Sequence, residues 1–152
     1  MPASAEGLRA RLGQQRPIPL AAALECAGGE LHALVGPSGS GKSTILRTLA
    51  GIYTPQVGEI TVGGEAWLDT ARGIALAPRL RSVGFVFQHY ALFPHLTAQQ
   101  NVMQAMEHLP ASQRGERARW LLERTNLAGL EERRPARLSG GQQQRVAVAR
   151  AL

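Results

Sequence analysis

The sequence predicts an α/β fold, and three observations carry that prediction. Short apolar runs, Leu31–Val35, Gly58–Val62 and Val83–Phe87, have the length and residue types of strands, the first and last of them buried. Apolar residues recur at helical spacing around residues 45–50, 97–109 and 112–127, and again from residue 142 onwards. The first strand run feeds through a glycine-rich loop directly into the first helical run, an order that α/β domains use. A chain of 152 residues can bury one working core.

Taken in order, residues 1–30 are the least clearly patterned. Leu8, Ala10 and Leu12 alternate with Arg9 and Arg11 in the manner of a short strand. Pro17 and Pro19 interrupt, and Leu20–Cys26 is compatible with a second strand before the Gly28-Gly29 turn. Leu31–Val35 is the best strand candidate of this half. It ends at Gly36, and Ile45, Leu46, Leu49 and Ala50 then mark a helix opened by Lys42 and stopped by Gly51. Gly58–Val62 is a short strand. Up to Leu80, Gly64, Asp69, Gly73 and Pro78 argue for turns. Val83–Phe87 reads as a mostly buried strand, followed by a loop marked by Gln88 and Pro94. Val102, Met106 and Leu109 set a helix over Thr97–Leu109, and Ala118, Leu121, Leu122 and Thr125 set another over Ser112–Leu127. A charge-rich loop leads to Ser139-Gly140-Gly141, and a last helix begins near Gln142.

Composition excludes several classes. Cys26 is the single cysteine, so neither an internal disulfide nor a thiolate metal cluster is expected, and His32, His89, His95 and His108 form no close pair. No 18-residue apolar run is present, and the N-terminal stretch has no apolar core after its positive charge, so neither a membrane span nor a signal peptide is predicted. The net charge is +6. Its sixteen arginines are spread from Arg9 to Arg150 with little aromatic interleaving, which reads as solvated surface, and no specific nucleic-acid partner is expected. The one lysine, Lys42, stands inside the glycine-rich loop.

That loop, Gly36-Pro37-Ser38-Gly39-Ser40-Gly41-Lys42-Ser43, satisfies G-x-x-x-x-G-K-[ST] after a strand candidate and at the opening of a helix. Glycines let the backbone curl so that successive N–H groups face inward, and the helix N-terminus adds its field. In such a loop Lys42 reaches the terminal phosphates of a nucleotide, Ser43 ligates Mg²⁺, and Thr44 stands ready to donate to an α-phosphate.

Two further stretches narrow the reading: Val83-Gly84-Phe85-Val86-Phe87-Gln88 with the following His89–Pro94, and Leu138-Ser139-Gly140-Gly141-Gln142 with Gln143–Val146. Together with the glycine loop, and in this order, they resemble the ATP-binding subunit of ABC transporters. The resemblance covers nearly the whole chain. It implies the P-loop NTPase core of the ABC ATPase type, with an N-terminal antiparallel β portion, a RecA-like part over approximately residues 1–90 and a helical subdomain over approximately 95–145. ATP and Mg²⁺ are the implied cofactors. Gln88 begins the loop that senses the γ-phosphate and the metal, so that Ser43 and Gln88 are the metal candidates. Ser139, Gly140, Gly141 and Gln142 close over ATP held by an opposite subunit. On the residues alone, Ser139 is a plausible N-cap and the adjacent glycines form a second anion-seeking surface, which makes sense in a head-to-tail two-fold dimer.

The resemblance also implies an energising subunit on the cytoplasmic face of the plasma membrane. Its partners would be a second copy or paralogue, transmembrane permease subunits and, indirectly, a substrate-binding protein. Residues 64–97 look most like the ATPases of molybdate or sulfate importers. A soluble non-transport ABC-type ATPase and a non-hydrolysing nucleotide-binding remnant are the alternatives; the coupling-type segment Leu92–Thr97 argues against the first. Members of the family continue past this point with a strand ending in Asp-Glu and a switch histidine. Beyond Gln142 this sequence has no acidic residue or histidine. The expectation is therefore about the first two-thirds of a nucleotide-binding domain, its final strands missing, with hydrolysis by this chain alone not expected. The position that usually stacks an aromatic ring on adenine falls near Ile18, so base contact is expected without stacking.

Overall fold

Alternation in the N-terminal sequence resolves into a meander. In the computed structural model, which describes residues 7–152, the strands are β1 (Leu8–Gln14), β2 (Leu20–Cys26), β3 (Val57–Val62), β4 (Glu65–Asp69) and β5 (Ile74–Ala75). They form one sheet in the order β2-β1-β3-β4-β5, and every pairing in it is antiparallel. Leu8 faces Cys26 on one side and Val62 on the other. Ala10, Leu12 and Ile60 are buried while Arg9, Arg11 and Glu59 are exposed, the period of two expected of a half-buried sheet. Helix α1 (Lys42–Leu49) supplies Ile45 to this face, and Leu20, Trp67 and Leu68 complete the core.

The chain divides into two compact units, the first ending at Ser82 and the second running Val83–Leu152. The second is helical: α2 (Ala98–Met103), α3 (Ala111–Arg124) and α4 (Gly140–Ala151). Val102, Ala118, Leu122, Val146 and Ala149 form its core, each almost without solvent exposure. Thr97 caps α2 and Ser139 caps α4, both with reciprocal capping boxes. Asn101 is fully buried; its side chain accepts from the Phe93 N–H (2.8 Å) and donates to the carbonyls of Phe93, Leu96 and Thr97. Among the described residues, every buried side-chain polar atom has a partner.

Four expectations are corrected. Leu31–Val35 is not a strand: among the described residues the segment pairs with nothing and only its Leu34 packs against the core, while Leu31 and Val35 are 98% and 93% exposed. Val83–Phe87 is likewise extended without a ladder, with Val83 and Val86 exposed. Apolar runs record a tendency to burial but do not supply the neighbouring strands that a ladder requires. The region between Gly64 and Leu80 holds β4 and β5 as well as turns, because Leu68 pairs with Ile60 and Ala66 with Thr61 of β3. The helix predicted to reach Leu109 ends at Met103; tighter turns follow, in which Ala105, Met106 and Leu109 donate three residues back, before Pro110 halts the run.

Candidate functional site

The glycine loop follows from its own residue types. Gly39 (φ 81°) and Gly41 (φ 87°) occupy the left-handed region, where side chains are disfavoured. At Gly41 a Cβ would also lie 3.1 Å from Leu20 Cδ1, so the β2 side chain seals the loop from below. Gly41 is the N-cap of α1, and the first helical bond runs from Ile45 N–H to the Gly41 carbonyl at 2.9 Å. The N–H groups of Lys42, Ser43 and Thr44 therefore precede the intrahelical ladder, and they are the donors that a helix start offers to an anion.

Lys42 folds back across the loop. Its ammonium donates to the carbonyls of Gly36 (2.8 Å) and Pro37 (2.7 Å) and approaches Ser40 Oγ (3.4 Å), so the cation sits inside the curl that runs from Gly36 to Gly41. Gly36 and residues 37–40 are exposed, as is Ser43 in the first turn of α1. The chemistry of this set fits a polyphosphate: one ammonium, a hydroxyl and a row of N–H donors, with no carboxylate from residue 36 to residue 44. Ser43 offers a hard oxygen of the kind Mg²⁺ prefers.

The helix beneath the loop is anchored by a residue that sequence reasoning assigned to the surface. Arg81 is 6% exposed and donates to four carbonyls: Thr48 (2.9 Å) and Leu49 (2.8 Å) at the end of α1, Trp67 (3.1 Å) and Leu76 (3.0 Å). Its guanidinium lies 5.6 Å from the Trp67 ring and against Gly51, where a Cβ would come within 2.8 Å. Burial lowers its pKa from the ordinary arginine value. No local spacing signals such a role, although Gly51 after the helix marks where the space is needed.

Ile18 is 41% exposed at the turn between β1 and β2, its carbonyl held by Gln14 Nε2 at 2.6 Å. Leu20, two residues on, is the side chain packed at Gly41.

In the second unit, Ser139 Oγ accepts from the Gln142 N–H (3.3 Å) and Gln142 Oε1 accepts from the Ser139 N–H (2.8 Å). Gly140 and Gly141 are exposed; a Cβ would meet nothing within 4 Å at Gly140 and only the Arg145 side chain, at 3.9 Å, at Gly141. The fold of this chain thus has no packing need for glycine at either position, which is what a surface for close approach requires. Gln88 lies exposed at the start of a turn through Ala91, also in the second unit, although the expected RecA-like part included it.

A family model described as "ABC transporter" matches residues 21–152. The sulfate/thiosulfate import ATP-binding protein of Synechocystis sp. is 51% identical over 132 residues, covering 85% of this chain and 35% of that protein. The L-cystine transport system ATP-binding protein of Escherichia coli is 48% identical, over 85% of this chain and 54% of its own length. A molybdenum import ATP-binding protein of Pseudomonas savastanoi is 46% identical, over 82% and 34% respectively. The chain thus spans between about a third and just over a half of the length of these relatives. Among solved structures, the ATP-binding cassette MJ0796, a dimer in a post-hydrolysis state bound to ADP and Pi, aligns with a TM-score of 0.80 at 32% identity, covering 95% of this chain and 68% of that one. With its glycine loop, its Gln88 turn and its capped Ser139 helix in the family's order, this chain belongs to the ABC transporter family.

Proposed function

We propose that this chain is the nucleotide-binding part of an ATP-driven importer subunit, acting through a composite site with a second nucleotide-binding subunit. The observation that carries the reading is Lys42 held inside the Gly36–Gly41 curl at the N-terminus of α1. On this reading Gly36, Pro37, Ser38, Gly39, Ser40 and Gly41 wrap the phosphates with backbone N–H groups, Lys42 neutralises their charge, and Thr44 donates from the first turn. Ser43 and Gln88 are the proposed ligands of Mg²⁺, which when bound neutralises developing phosphate charge. Ile18 is the proposed aliphatic neighbour of the base. Ser139, Gly140, Gly141 and Gln142 are proposed to face ATP on the opposite subunit, a role supported by glycines that their own fold does not need.

Relatives named for sulfate, thiosulfate and molybdenum import support an oxyanion as cargo, and permease subunits, a substrate-binding protein and a place on the cytoplasmic membrane face follow from the same reading. Among the described residues no helix is long and apolar enough to cross a membrane. Calorimetry with MgATP tests the core of the proposal: Lys42→Ala should weaken binding about 100-fold or more, by roughly 2.7 kcal/mol. An unchanged dissociation constant in a folded variant would refute it. Uptake of labelled sulfate and molybdate by the whole transport system, with the same variant as control, tests the cargo.

A further inference from the structure

The turn that carries Gln88 has an unusual backbone. Tyr90 (φ 61°) and Ala91 (φ 47°) are consecutive non-glycine residues in the left-handed region. Such residues are sterically disfavoured and persist only where surrounding structure holds them. Here the holder is Arg150, in the last turn of α4: Nη1 donates to the Ala91 carbonyl at 2.7 Å and Nη2 to the Tyr90 carbonyl at 2.8 Å. One planar fork thus grips both left-handed residues, a geometry that a lysine cannot copy. On the other side of Gln88, Gly84 lies against the Ala151 backbone so closely that its missing Cβ would collide with the Ala151 carbonyl. The residues flanking Gln88 are therefore seated twice on the same helical turn.

Helix α4 begins at the Ser139–Gln142 capping box and, with Val146, Ala147 and Ala149 buried, runs as one rod of about 18 Å to that seat. We propose that Arg150 is the positioning residue of the Gln88 turn, and that α4 links the Ser139–Gln142 surface mechanically to Gln88. A displacement of the helix start then moves the Gln88 turn with it. The functional half of this proposal rests on the reading of Gln88 as a metal and nucleotide residue; the structural half does not.

Hydrogen–deuterium exchange on the full chain tests the structural half. In Arg150→Met the amides of residues 90–93 should exchange about tenfold faster or more, while those of α2 and α3 keep wild-type rates; Arg150→Lys should restore protection only in part. Gly84→Ala, which acts on the other contact, should produce the same local loss. Wild-type exchange in both Arg150→Met and Gly84→Ala would overturn the clamp. For the functional half, ATP affinity is measured with Mg²⁺ and in chelator. Arg150→Met should lose most of the Mg²⁺-dependent gain and keep the affinity seen in chelator. A full Mg²⁺-dependent gain alongside faster exchange would overturn the link to Gln88. Failure of the nucleotide reading itself shows separately, as wild-type ATP affinity in Lys42→Ala, and leaves the exchange result standing.

Discussion

The Arg81 guanidinium donates to the Thr48 carbonyl across 33 residues of chain, at 2.9 Å, and so fixes the C-terminal end of the helix whose N-terminal end carries the glycine loop. The contact is at the negative end of that helix, where a cation is favoured, and it is buried. The position of Lys42 and Ser43 is in this sense set from the far end of α1.

Arg81→Met should therefore cost about 3 kcal/mol, because it leaves up to four inward carbonyls without their donor. Chemical denaturation would show the loss as a lower midpoint at an unchanged slope. Nucleotide affinity of the folded variant should fall as well, because the glycine loop rides on the N-terminal end of the same helix. A midpoint within error of wild type would contradict the anchoring role.

Asn101→Ala removes one acceptor and three donor contacts that hold Phe93, Leu96 and Thr97. A loss of about 2–4 kcal/mol is expected, together with faster exchange of the Phe93 amide. Asn101→Asp should be nearly as harmful, since a carboxylate keeps the acceptor but faces three carbonyls without a proton to give.

Ser139→Ala should destabilise the helical unit by about 1 kcal/mol through loss of the cap. Gly140→Ala should do the opposite in the isolated chain, by up to about 1 kcal/mol, since a Cβ meets open space in a helical position. If Gly140 serves close approach by a second subunit, the same substitution should weaken nucleotide-dependent dimerisation. Sedimentation with and without MgATP separates the two effects, and wild-type dimerisation would count against the interface.

Local chemistry was legible from the sequence wherever the signal is local. The Gly39 and Gly41 conformations, the opening of α1 at Lys42, the Ser139 cap and the strand alternation around Ala10 and Leu12 follow from contacts within a few residues or from one period. Neighbour identity was not legible. Leu31–Val35 and Val83–Phe87 have the composition of buried strands, but a ladder depends on which chain lies alongside, and among the described residues none pairs with either. Arg81, Arg150 and Asn101 escaped notice for the same reason. Each binds main-chain carbonyls, which every residue possesses, so no residue type or spacing marks the partner. The sequence by itself determined the phosphate-seeking loop and the capped start of α4. Only the tertiary structure decided what holds them in place, because a long polar side chain is solvated surface or buried anchor according to the backbone that folds around it.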